Sequence, residues 1–185
     1  LLNERVLSGA ALASRVDALG GTAFKSMPTT GTATFRGVGE LTVDRTSKIH
    51  PDGLGMIGDA TMTANFGTGR VTGTVDNFQG VEFGPKKPLV AYAVDGKIAI
   101  GTKASQIGGT GPNRFTTNYA GTLGIAGTGD VDVVGTLDGQ FVGTRASAAG
   151  TPRVVKGLFA DDGDLVATQG TRKNGGSLTI YAEQN

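Results

Sequence analysis

The chain has no cysteine and no tryptophan, one histidine, and no apolar run of the ~18 residues that a membrane-spanning helix requires. Without cysteine there is no disulfide, thiol nucleophile, iron–sulfur cluster or thiolate zinc site, although the cellular compartment stays open. A single histidine makes a transition-metal centre a poor expectation. Charge of one sign is also lacking. Seventeen basic and sixteen acidic residues give a net charge of +1, so there is no whole-molecule field to draw in nucleic acid or an anionic membrane. Aromatic residues make up only 6% of the chain, so any interior must be filled mainly by aliphatic side chains. The sequence starts at Leu1 rather than at methionine, as a processed or trimmed form would.

What is abundant is glycine, with 32 copies among 185 residues and no three-residue period, which excludes a collagen-like helix and leaves turns and strands as its use. The first 21 residues are different: Leu2, Val6, Leu12, Val16 and Leu19 recur at near-helical spacing before Gly20-Gly21. This predicts a short amphipathic helix over 1–21 that packs on a barrel wall or end, or serves as a contact element for a neighbouring subunit.

From residue 22 onward the period is two. Ala33, Phe35, Gly37, Gly39, Leu41 and Val43 share one face of a strand, with Val38 breaking the pattern, and Ala60, Met62, Ala64 and Phe66 share another. Gly67-Thr68-Gly69 predicts a hairpin into a strand with Val71, Gly73 and Val75 inward. Asp95-Gly96, Asp138-Gly139 and Asp162-Gly163 sit between apolar runs and predict three more hairpins, the second of which could equally be a bulged continuous strand. Residues 80–88 and 105–113 read as loops. In-strand glycines such as Gly37, Gly73, Gly101, Gly135 and Gly157 permit the coiling by which a sheet closes. The expectation is all-β: one domain, 22–185, forming a single eight-stranded antiparallel barrel of about eight to ten strand segments, with a narrow aliphatic lumen and a short N-terminal helix.

Three stretches carry a resemblance: GTATFRG at 31–37, DATMTANFGTGRVTGTVDNF at 59–78 and GTLDGQFVGTRASAAG at 135–150. In this order, across roughly residues 30 to 170, the chain resembles the β-barrel domain of transferrin-binding protein B and its relatives, which include factor H-binding protein and other bacterial surface lipoproteins. The resemblance implies an eight-stranded barrel, exported through or held on the outer membrane, that binds a protein or small solute. Against that family's pattern, these residues hold no lipid-bearing cysteine and are expected to form one barrel rather than two lobes, with no handle domain read ahead of that barrel.

Chemistry-bearing residues are sparse. His50 lies near Asp44, Ser47 and Asp52, but in a Pro-Gly loop with no nucleophile elbow. Asp161, Asp162 and Asp164, and the pair Asp130 and Asp132, have the spacing of turn aspartates and lack the distant glutamate of a calcium loop. Gly67–Gly69 and Gly108–Gly111 do not lead into helices, so they are not phosphate cradles. Lys86-Lys87 and Arg172-Lys173 lack interleaved aromatics for stacking bases. With no recognisable catalytic set or cofactor motif, what the resemblance implies stands as the expected function: a non-enzymatic surface or secreted binding protein without a cofactor, presenting loops at 80–88 and 105–114 to a protein or small-solute partner. Lys86, Lys87, Asn113 and Arg114 are its candidate contacts. The alternative is a structural subunit that self-assembles into a fibre, surface layer or particle. Neither nucleic acid nor a transmembrane helix is expected.

Overall fold

Alternating burial along each strand curls one sheet until its edges meet. The computed structural model describes residues 2–44, 53–82, 90–144, 155–162 and 164–184. Helix α1 runs Leu2–Ala18. The strands are β1 Thr32–Val43, β2 Leu54–Asn65, β3 Arg70–Glu82, β4 Val90–Ile107, β5 Arg114–Ile125, β6 Gly129–Val142, β7 Gly157–Asp161, β8 Val166–Gln169, β9 Arg172–Asn174 and β10 Gly176–Glu183. β1 to β7 pair in chain order except that β10 stands between β7 and β1, which closes an eight-stranded antiparallel barrel. β8 and β9 are extra segments: β8 pairs with β6 past the end of β7, and β9 pairs with β8.

Ala33, Phe35, Leu41 and Val43 of β1 and Ala60, Met62 and Ala64 of β2 are buried in the lumen, as their spacing predicts. One continuous cluster fills it, and at one end Phe141 meets Phe35, Phe66 and Phe115 with ring centroids 6.1, 5.4 and 5.1 Å away. The outward face is largely polar. Thr34, Thr63 and Thr72 form a row across β1, β2 and β3, the kind of cross-strand set that stabilises a wet sheet face.

The exception at Val38 is explained by α1. Leu12 and Val16 of the helix pack with Val142 on the outside of the barrel, against Val38, Phe159 and Tyr181, so these outward apolar residues are covered. Gly9 lets the helix come close, since a Cβ there would lie 3.2 Å from Ile57 Cδ1 and 3.6 Å from Val38 Cγ2. Arg5 anchors one end of α1: it pairs with Asp59 at 2.6 Å and donates to the carbonyl of Asn77 at 2.6 Å. Asn77, at φ 52°, lies where the β2–β3 register slips, and this slip returns Phe78 to the lumen after Val75. Arg15 pairs with Glu183 at the other end of the helix. The chain then crosses the barrel end, where Thr22 donates through its amide to Phe141 and Met27 packs on the core cluster.

Two predicted hairpins are corrected. Asp95-Gly96 lies inside continuous β4, opposite Gly124 and Leu123 of β5. Its glycine has φ 96° without turning the chain back. Asp162-Gly163 does not join a hairpin either, because β7 and β8 both pair with β6 and run end to end along it. Asp138-Gly139 belongs to the continuous strand β6. The predicted loop at 105–113 begins later, since β4 extends to Ile107.

Candidate functional site

Two of the wall's irregularities, one on each side of it, are reached by consecutive residues of β5. On the outside, β4 pairs with β5 at Ile100↔Tyr119 and resumes at Ser105↔Thr117, so residues 101–104 face Asn118 alone. This is a wide bulge, a feature that re-aims side chains. Asn118 Oδ1 accepts from the amides of Lys103 and Ala104 at 3.1 and 2.8 Å. Gly101 supplies φ 72° where the backbone approaches Val71. Ser105 replaces the lost ladder bonds on the β3 side: its hydroxyl accepts from the Val71 amide at 2.6 Å and donates to the Val71 carbonyl at 2.7 Å. Asn118, Gly101 and Ser105 thus hold a bulge that leaves Thr102, Lys103 and Ala104 exposed.

Beside the bulge is an open depression of about 410 Å³ lined by Arg70, Lys103, Ala104, Ser105, Gln106 and Thr116. Arg70 is steadied by a hydrogen bond to the Gly101 carbonyl at 3.3 Å. The lining holds two cations and no carboxylate. A second cleft, of about 390 Å³, lies at the C-terminal end of α1 and includes Arg15, Leu19, Val155, Lys156, Glu183 and Gln184. There the Arg15–Glu183 pair, with N···O of 3.1 Å, cancels much of the local charge. The first depression therefore has the more distinctive chemistry.

The second irregularity is a seam in the wall between β7 and β8. Pairing with β6 stops at Asp138↔Asp161 and resumes at Val134↔Val166. Carboxylates take over from the ladder: Asp164 accepts from the Thr136 amide at 2.8 Å, and Asp162 accepts from the Asp164 amide at 2.5 Å. From the lumen side, the Tyr119 hydroxyl donates to Asp162. Tyr119 and Asp162 are 1% and 3% exposed. Burial raises the Asp162 carboxyl to about 6, and burial followed by the Asp162 hydrogen bond raises the Tyr119 phenol. Asp164 is held below its ordinary value by its hydrogen bonds with Asp162 and Thr136. A tyrosine pushed up and enclosed on both sides is a poor acid or nucleophile, so this pair is suited to closing the wall.

The predicted contact residues are dispersed. Arg114 is exposed at the start of β5, two residues before Thr116 on the same outward face. Asn113 is 6% exposed, and its amide donates to the Thr22 carbonyl at 2.8 Å, tying the N-terminal crossing to the β4–β5 connection. Lys86 and Lys87 lie outside the described residues, as do Ser47, His50 and Asp52. Among the described residues no group of three or more His, Cys, Asp or Glu is arranged to hold a metal ion. Asp161 and Asp162 accept from the backbone amides of Asp162 and Asp164, and Asp164 accepts from that of Thr136. No described helix is long and apolar enough to cross a membrane. Asn118, Tyr119, Arg70 and Lys103 were not marked by their sequence pattern. The available signal was a change of phase in β4, where inward Ile98 and Ile100 are followed by inward-packing Ile107.

No protein-family model matches the chain, and no curated protein or solved structure matches it.

Proposed function

We propose that the chain is a non-enzymatic bacterial surface or secreted binding protein, a rigid barrel that presents its outside to a protein or small-solute partner. The observation that carries this reading is the lumen, occupied by a continuous apolar cluster from Phe35 and Phe141 at one end to Val43, Leu54 and Leu178. A filled barrel recognises partners on its walls and ends rather than within. Its polar outward rows suit an aqueous exterior, whereas a lipid-facing barrel needs an outward apolar band. The three stretches that resemble transferrin-binding protein B barrels point the same way. Native mass spectrometry of the chain isolated from its source should recover a stoichiometric partner. A chain that is solitary in every preparation contradicts the proposal.

Self-assembly is the second reading, and one observation favours it. Leu7, on the side of α1 away from the barrel, is 70% exposed, and Val6, at the edge of the helix beside Ile57 and Val81, is 47% exposed. If they meet a neighbouring copy, light scattering should show an oligomer that Leu7→Asp dissociates. A monomer at all concentrations rejects this reading.

A further inference from the structure

We infer that the depression beside the β4 bulge is a binding site for a small polyanion, a solute carrying at least two carboxylate or phosphate groups. This names a ligand class for the binding function proposed above and rests on that reading for its biological role. Its physical basis is separate.

Arg70 projects from β3 and Lys103 from the bulge of β4, so the two cations approach the depression from different strands. Both are exposed. Neither forms a salt bridge among the described residues, where the ion pairs are Arg5–Asp59 and Arg15–Glu183. Across β5 from this lining, the outward carboxylate of Asp138, opposite Thr116, accepts from the Thr116 hydroxyl at 2.6 Å. Two uncompensated cations on one concave surface favour a ligand that can neutralise both, and a monoanion would satisfy only one.

The construction of the bulge gives a second line of support. Asn118, Ser105 and Gly101 hold its backbone, and Thr117 adds hydrogen bonds to Val71 and Ala104. None of these bonds uses the Lys103 side chain. The ammonium thus lines the same depression as Arg70 and is not consumed by the fold. Gln106, exposed on the same lining, adds an amide that can donate to a ligand oxygen. A volume of about 410 Å³ falls in the range of small-molecule sites.

The test is calorimetric titration of the whole chain at low ionic strength with citrate, pyrophosphate and, as a monoanion control, acetate. Citrate or pyrophosphate should bind with one-to-one stoichiometry, and the tighter of the two identifies carboxylate or phosphate as the preferred group. Acetate should bind at least about tenfold more weakly, because it forfeits one charge-assisted contact. Arg70→Ala and Lys103→Ala should each weaken the better ligand by about tenfold for the same reason. Lys103→Glu should abolish binding while the thermal midpoint stays unchanged, since the side chain is exposed.

Absence of binding by both polyanions, or variants that bind like the unmodified chain, overturns the site. A native partner recovered with a chain whose polyanion binding persists unchanged in Lys103→Glu would reject the site while leaving the general binding function standing. Polyanion binding lost in Lys103→Glu, with no partner recovered from any native preparation, would uphold the site and reject that wider function.

Discussion

The β1–β2 ladder and the β4–β5 ladder are built from similar residues, yet the first runs from Thr32↔Asn65 to Val43↔Leu54 without a slip, while the second breaks at residues 101–104. In the regular ladder the backbone satisfies itself, and outward side chains such as Thr63 contribute only cross-strand contact. In the broken ladder, particular side chains take over the backbone's hydrogen bonds. Asn118 does this outside the barrel, and its neighbour Tyr119 serves the β7–β8 seam from inside. Specific chemistry is therefore concentrated where the barrel departs from its own regularity.

The contrast is sharpest between Gly135 and Thr63. A Cβ on Gly135 would overlap both the Tyr119 hydroxyl and the Asp162 carboxylate. Gly135→Val should therefore cost about 3 kcal/mol or more through overpacking and a displaced buried hydrogen bond. Thr63→Val, on the regular ladder, should stay within about 0.5 kcal/mol. Urea denaturation of the two variants measures the difference, and similar losses would erase the distinction. Next in size is Tyr119→Phe, which leaves one oxygen, Oδ2, of the buried Asp162 carboxylate without its donor and should cost about 2 kcal/mol by the same measurement. Asn118→Ala should cost about 1 kcal/mol, less because the bulge amides it releases can reach water.

The smallest expected effect is one of pH. Asp162 is raised from 3.8 to about 6 in the fold, so the folded state prefers its protonated form. Its contribution to stability is complete below about pH 4 and is lost as pH rises through about 6. Asp164 is depressed, so its contribution is present above its ordinary value and lost as pH falls below it. The thermal midpoint should thus rise modestly on acidification from pH 7 towards 4 and fall again below that. Asp162→Asn, which keeps the hydrogen-bonding shape, should remove the rise between pH 7 and 4. A rise that persists unchanged in that variant would assign it to another group.

Much of the barrel could be read from alternation alone, because each inward residue of β1 and β2 answers to a fixed period. Val38 looked like an error in that pattern and is instead the wall position covered by α1. The Asp-Gly pairs misled for a physical reason. They report a glycine free to take positive φ, and Gly96 uses that freedom within a strand rather than at a reversal. The candidate site was harder to see. Alternation sorts residues into inward and outward, but it does not reveal that Asn118 spends its amide oxygen on the backbone of β4 or that Arg70 and Lys103 come to line one depression. Those relations come from register, which the slip of β4 sets.

The most direct test of side chains substituting for backbone pairing is amide hydrogen exchange, followed by NMR, in the intact chain and in Asn118→Ala. The amides of Lys103 and Ala104 should be protected in the intact chain and exchange freely in the variant, while those of Thr61 and Thr63 on the regular ladder remain unaffected. Unprotected Lys103 and Ala104 amides in the intact chain, or protection that survives loss of Asn118, would contradict it.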